Sequence, residues 1–405
     1  MERRWSSLSE KISLPSGKGF FALSAEIKVV LISLAHGVND MYAAFLPTFV
    51  PYIKASLGLD YALTGTLSLI VGFCHIVGQP MIGFLCDRIR RPYLMIVGPL
   101  LCGSGAVMLP NAGSYGGALF CAGLWGVGSA MFHPQGSGGV GYVSKPEKLT
   151  FAMTLFNISG TAGALISPVV AVFAVQKFGY GGLWVTLLPP FLLAPLLYVS
   201  MPFLRETLPQ PDRRASGFWR SFGGVFRTLL PVWGVSVIRD IVFQGVRFFL
   251  PLKVAAQGGS LETIGTVLFC ITLGGTLAMI PAERIARRVS FGTILGASMV
   301  LGSLSLTAAA LSSGLISTVL YIIGVSCVFS TMPLTVVLAQ TLMPHARSIA
   351  SSVVMGLAWG VANAALYPLG KFADWVGIHN TTLLLGLLPL LSLAFFASPL
   401  LRGRR

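Results

Sequence analysis

Twelve apolar runs, each long enough to cross a bilayer, constrain this chain more than any other feature. They fall at roughly 29–53, 62–84, 93–111, 114–142, 149–176 and 180–200, and then at 228–256, 261–281, 290–311, 315–341, 348–371 and 380–400. A spanning helix needs about 20 predominantly apolar residues. Lipid satisfies no backbone group, so runs of this length must close their hydrogen bonds internally as helices. Charged residues make up only 10% of the chain, against about 25% in a soluble domain. The expectation is an all-α polytopic membrane protein with twelve transmembrane helices in two six-helix bundles. Segment 1–28 precedes the first bundle (29–200), 201–227 links it to the second (228–400), and 401–405 forms a tail.

The net charge of +15 raises nucleic-acid binding as a possibility, but the placement of the charges argues against it. Of the 28 Lys and Arg residues, 22 fall on the side that holds both termini and the central linker. Lys54, Lys177, Lys253 and Lys371 lie on the other side, and Arg239 and Arg247 fall inside a run. This bias predicts cytoplasmic termini. The six cysteines stand singly in apolar segments, which suits buried thiols. No Walker motif, nucleophile elbow or HExxH occurs, so neither ATP-driven transport nor enzymatic activity is expected. No cofactor is expected either. Three intramembrane histidines, His36, His75 and His133, sit on separate helices, and that spacing gives no support for a metal site.

The stretch Leu31–Pro51 recurs 200 residues later. Asp40, Phe49, Pro51, Gly58, Gly65 and Thr66 are matched by Asp240, Phe249, Pro251, Gly258, Gly265 and Thr266. Gly160, Ala164 and Pro168 are matched by Gly360, Ala364 and Pro368. These matches predict two parallel halves related by pseudo-two-fold symmetry about the membrane normal, as in rocking transporters.

Polar residues inside runs are the candidates for transport. An acid at a helix centre costs roughly 2.5–3.5 kcal/mol to insert, so it faces protein or water. His36, Asn39 and Asp40 share one helix face. Asp40 is the candidate proton carrier and His36 its partner; the alternative is a structural acid satisfied by its neighbours. In the seventh run Asp240, Gln244 and Arg247 share a face. Either Asp240 neutralises Arg247, or Arg247 is left to hold an anion. Arg239 lies about 100° round that helix. Two arginines beside one acid favour an anionic ligand. His133, ahead of the helix-breaking Pro134, is a binding candidate, as is Gln135. Asn39, Asn157, Trp359, Asn363 and Tyr367 complete the expected cavity lining.

The loop GFLCDRIRRP (Gly83–Pro92) resembles the signature of the major facilitator superfamily, and Glu283–Arg284 forms a degenerate echo. The resemblance implies gating roles for Gly83, Asp87, Arg88, Arg91, Glu283 and Arg284. HGVND (His36–Asp40), HIVGQPMIGFLCDR (His75–Arg88), GVGSAMFHPQGSGGV (Gly126–Val140), FNISGTAGALISP (Phe156–Pro168), AQTLMPHAR (Ala339–Arg347) and GLAWGVANAALYPLGKFAD (Gly356–Asp374) resemble the fosmidomycin-resistance family of that superfamily. That resemblance implies a bacterial inner-membrane antiporter, monomeric in the bilayer, exporting a small drug-like compound in exchange for protons. Two departures stand out: Gln135 replaces the acid usual after His-Pro, and the Arg239–Asp240 pair is not a family feature. An importer of an organic anion, or a lipid-handling or sensor protein on the same scaffold, is the alternative.

Overall fold

The computed structural model describes residues 23–79, 81–82, 91–145, 148–201, 218–286, 288–343, 350 and 352–402. Among them there is no strand. Eleven helical segments are long and apolar enough to span. They are α1 (Ala25–Ser56), α2 (Tyr61–Gly78), α3 (Tyr93–Asn111), α4 (Tyr115–Val143), α5 (Phe151–Phe178), α6 (Tyr180–Ser200), α7 (Gly223–Ala256), α8 (Leu261–Ala286), α9 (Phe291–Leu311), α10 (Gly314–Leu342) and Val353–Ala397. Gly377 (φ 86°) divides the last one into α11 (353–376) and α12 (378–397). The twelve predicted spans are therefore present. Gly179 (φ 69°) makes the equivalent corner between α5 and α6. A side chain at either corner would be strained in this left-handed conformation. The matched pair Gly58 and Gly258 likewise closes α1 and α7 with positive φ.

Short polar side chains start several helices. Ser24, Asp60, Ser114 and Ser290 each accept a hydrogen bond from the backbone N–H three residues on, satisfying a donor the helix cannot. α1 is one apolar run in the sequence but two helices in space, Ala25–Asp40 and Phe45–Ser56. At the break the Ala44 N–H donates to Ser167 Oγ on α5 at 2.9 Å. Pro47 has no N–H to give to the carbonyl of Ala43 four residues back, which leaves that acceptor open to another partner.

The two halves share a hydrophobic core at one end only. There Tyr42, Phe45, Phe49 and Trp125 pack in one cluster with Phe248, Phe249, Leu366 and Ala373. At the end carrying the termini, one cluster is drawn from the first half alone (Val29, Ile32, Phe132, Phe156). A further cluster is drawn from the second half alone (Val225, Leu229, Leu338, Val353). Shared apolar burial therefore holds the halves together at the end bearing the α1–α2 turn.

Across the halves α2 lies against α11. A Cβ on Gly65, Gly72 or Gly370 would collide with the backbone of Leu366, Gly360 or Tyr61 respectively. Asp374 closes this seam by accepting from Tyr61 N and Ala62 N, both at 2.8 Å, so one half caps a helix of the other. Both helices carry a π-helical turn, Cys74–Gly78 and Val353–Leu357, a feature frequent at functional sites. On the opposite flank Gly265 of α8 meets Val172 of α5, and Gln176 donates to Glu262.

Candidate functional site

The site grows from the break in α1. His36 and Asp40 face each other one turn apart, with His36 Nε2 3.2 Å from Asp40 Oδ2. From α4, His133 Nε2 reaches Asp40 Oδ1 at 3.4 Å. Two of the histidines that sequence spacing left apart therefore meet on one carboxylate, because α1 and α4 pack together. Each ring is held by its other nitrogen: His36 Nδ1 lies 2.7 Å from the carbonyl of Phe156 and His133 Nδ1 2.8 Å from that of Ser129. A carbonyl only accepts, so both Nδ1 atoms carry hydrogen. His36 also stacks on Phe156 (3.9 Å, 19°), with Phe132 alongside (5.6 Å, 26°). Gly160 leaves room for the ring, since a Cβ there would fall 2.4 Å from His36 Cε1.

This geometry has a chemical consequence. With Nδ1–H committed to carbonyls, each neutral ring turns a bare Nε2 lone pair toward a carboxylate oxygen. Lone pair facing lone pair repels, so each Nε2–oxygen line is stable only with a cation on it, and a proton is the simplest. The three groups present two nitrogen–oxygen lines of this kind. Asp40 and His133 side chains are 23% and 33% exposed and His36 8%, so access lies on the Asp40–His133 side. Asn39 Nδ2 donates to Asp40 Oδ1 at 3.1 Å, and its own Oδ1 is buried without a partner.

The second assembly crosses the halves. Asn363 of α11 donates to the carbonyl of Trp359 at 3.0 Å and accepts from Gln244 of α7 at 3.1 Å. Gln244 Oε1 accepts from Arg247 Nη1 at 3.2 Å. Arg247 Nη2 then donates to the Ala43 carbonyl at 3.3 Å, the acceptor that Pro47 leaves open. This chain runs from α11 through α7 to the break in α1, three residues from Asp40. Arg247 is buried, lies 5.2 Å over the Phe243 ring and has no carboxylate partner among the described residues. Its Nε and the Nε1 of Trp359 are buried donors without acceptors.

Asp240 pairs with its neighbour instead of with Arg247. Arg239 Nε and Nη2 donate to its two oxygens at 2.7 and 3.0 Å, and Nη1 to Thr335 Oγ1 at 2.8 Å. Both side chains are fully buried. Adjacent helix residues do not normally face each other; the long guanidinium wraps back because Thr335 of α10 fixes its far end. Gln135 also turns from the cavity: its Oε1 accepts from Met95 N at 2.8 Å and its Nε2 donates to the Arg91 carbonyl at 3.0 Å, so it secures the start of α3. Asn157 is exposed about 20° round α5 from Pro168, whose backbone lies beside Gly265 of the other half. Tyr367, two turns beyond Trp359, carries Lys371 Nζ 4.9 Å over its ring.

Of the gating residues, Gly83, Asp87, Arg88 and the side chain of Glu283 lie outside the described residues. Arg284 is exposed near the end of α8, and the guanidinium of Arg91 lies 5.9 Å over the Tyr93 ring. Sequence reasoning missed Ala43, Phe156 and Ser129, which contribute backbone carbonyls, and Ser167. For Ala43 the signal was available: a proline four residues on.

Twelve apolar helices in two packed halves, with paired polar assemblies inside the membrane region, define a polytopic transporter and not an enzyme. The comparisons agree. The family model for the Major Facilitator Superfamily matches residues 32–365, and the chain belongs to that family. The Fosmidomycin resistance protein of Escherichia coli (strain K12) is 27% identical, with 89% of this chain and 90% of that one covered. The MFS-type transporter YfnC of Bacillus subtilis (strain 168) is 25% identical, with 92% of each chain covered. Among solved structures, a nucleoside transporter, NupG, shares the fold with a TM-score of 0.75 at 14% identity, covering 91% of this chain and 99% of that one. A bacterial homologue of the lysosomal transporter Spinster does so with a TM-score of 0.73 at 14% identity, covering 92% and 96%.

Proposed function

We propose that this chain is a proton-coupled antiporter of the bacterial inner membrane, with both termini cytoplasmic, that exports a small anionic or amphipathic compound by alternating access. The observation that carries the reading is the His36–Asp40–His133 unit, which is stable only with protons or another cation on its two lines and opens toward water on one side. Around it α3 contributes Cys102, whose Sγ lies 3.7 Å from the Asn39 carbonyl. α2 contributes His75, whose Nε2 is buried without a partner. α7 contributes Arg247, and the packed face of α5 brings only Phe156 and Gly160. The buried Arg247, with no carboxylate partner among the described residues and its Nε without an acceptor, supports an anionic cargo, because a carboxylate or phosphonate pairs with its guanidinium. The relative named for fosmidomycin resistance supports a phosphonate of that kind. Coupling runs through the Ala43 carbonyl: a ligand that pulls Arg247 off it frees the break beside Asp40.

The test uses cells and proteoliposomes carrying the whole chain. Expression is expected to raise tolerance to fosmidomycin, and Asp40→Asn to remove that gain at unchanged membrane abundance. In proteoliposomes an imposed pH gradient is expected to drive uphill movement in the wild type and not in Asp40→Asn. Movement insensitive to the gradient overturns the coupling.

A further inference from the structure

We propose that His36, Asp40 and His133 also form a binding site for a divalent transition-metal ion of the zinc class. One ligand atom from each residue lies within 4.8 Å of the others. The two nitrogen–oxygen lines, 3.2 Å to Asp40 Oδ2 and 3.4 Å to Asp40 Oδ1, are close to the separation of about 3.3 Å between neighbouring ligand atoms around a tetrahedral zinc with bonds of roughly 2.0–2.2 Å. The remaining ring nitrogens are already committed as a metal site needs them. In such sites a ligating histidine donates its other N–H to a carbonyl or carboxylate, which fixes the tautomer and aims the free lone pair. Here Phe156 and Ser129 supply those carbonyls, on two different helices.

Charge points the same way. The unit presents one carboxylate and two lone pairs to a shared volume, and one dication brings the same charge to it as two protons. A second, independent sign is Asn39. Its amide nitrogen is bound to Asp40, while its oxygen is buried with no donor, so the rim of the site holds an unused oxygen acceptor. Three protein ligands leave a coordination position for water on the partly exposed Asp40–His133 side, the arrangement of an open zinc site. His36 is stacked on Phe156 and packed against Phe132, so the site needs little reorganisation. A bound ion takes the lone pairs that protons use and locks α1 to α4, so zinc is expected to arrest transport.

The metal alone, with no proton gradient, tests this on the full-length protein in lipid nanodiscs. Calorimetric titration with Zn2+ is expected to give one site in the wild type and in His379→Ala, a change at an exposed histidine far from the cluster. Binding is expected to weaken at least about tenfold in His133→Ala and in Asp40→Asn. Co2+ in the wild type is expected to give the intense visible absorption of a four-coordinate site, bleached by Zn2+. The spectrum keeps the test valid if a variant fails to fold. The inference is overturned if His133→Ala and Asp40→Asn bind Zn2+ as the wild type does, if His379→Ala abolishes binding, or if Co2+ shows only the weak bands of a six-coordinate ion. A chain that binds zinc here but ignores a pH gradient loses the antiport reading alone; one that is gradient-driven but metal-free loses this inference alone.

Discussion

Asp40 of α1 and Asp240 of α7 are the same residue at matched positions of the two halves, yet the protein treats them oppositely. Asp240 has a fixed countercharge. Arg239 grips both its oxygens, and neither side chain has any exposure. Asp40 faces two rings whose charge depends on protonation, with 23% of its side chain open. A buried acid with a permanent cation is held structurally; a partly exposed acid between titratable partners is the one that the proposed function assigns to protons. The helices differ in the same sense. α1 breaks after Asp40, while α7 continues through its acid to Ala256. The two halves carry the acid at matched positions, and the residues around each set its countercharge.

The largest effect is expected from attacking the fixed copy. Asp240→Asn leaves the Arg239 guanidinium buried without a countercharge, with only a neutral amide oxygen and Thr335 as acceptors. Breaking a buried ion pair from one side costs about 3–5 kcal/mol, a large share of a typical folding free energy. The measurable outcome is a collapse in monodisperse protein and thermal midpoint in detergent. Asp40→Asn is expected to leave both near wild type and to remove gradient-driven transport. If the two variants exchange phenotypes, the contrast between the copies is wrong.

A smaller effect is expected at the tie between the copies. Arg247→Lys keeps the positive charge but loses the fork that reaches Gln244 and the Ala43 carbonyl together. A hydrogen bond to a charged group is worth about 1.5–3 kcal/mol, so the KM for an anionic cargo is expected to rise roughly 10- to 100-fold. Arg247→Gln is expected to do more, by removing the charge. The KM is read from initial rates at a fixed gradient. An unchanged KM in both variants separates Arg247 from the cargo and leaves it a helix-to-helix strut.

How much of this was legible in the sequence follows from how far each signal reaches. Spans, corners and caps are local, so apolar run length, Gly377 and Ser24 give them away. The His36–Asp40 contact is legible too, because four residues make one helical turn. The arrival of His133 is not, since it depends on how α1 packs against α4 at Phe132 and against α5 through Gly37 and Gly160. Backbone carbonyls leave almost no trace in a side-chain pattern, and Pro47 is the one residue that betrays an open acceptor at Ala43. The competition between Arg239 and Arg247 for Asp240 turned on Thr335, a residue 95 positions away on α10, whose hydroxyl no helical wheel could place.

The smallest effect concerns Gln135, the residue that follows His133 and Pro134. Two residues after His133, it sits about 200° round the helix and cannot share that residue's face. Both ends of its amide are used on α3, at Met95 N and the Arg91 carbonyl. Gln135→Glu keeps the bond from Met95 but turns a second acceptor on the Arg91 carbonyl, losing one hydrogen bond worth about 1 kcal/mol. The expected result is a slight fall in thermal midpoint with the pH dependence of transport unmoved. A shifted pH profile would mean that α4 rotates during the cycle enough to bring position 135 to the proton pathway. The Asp40 unit would then be one of two proton sites in the first half, and the contrast with the silent Asp240 would sharpen.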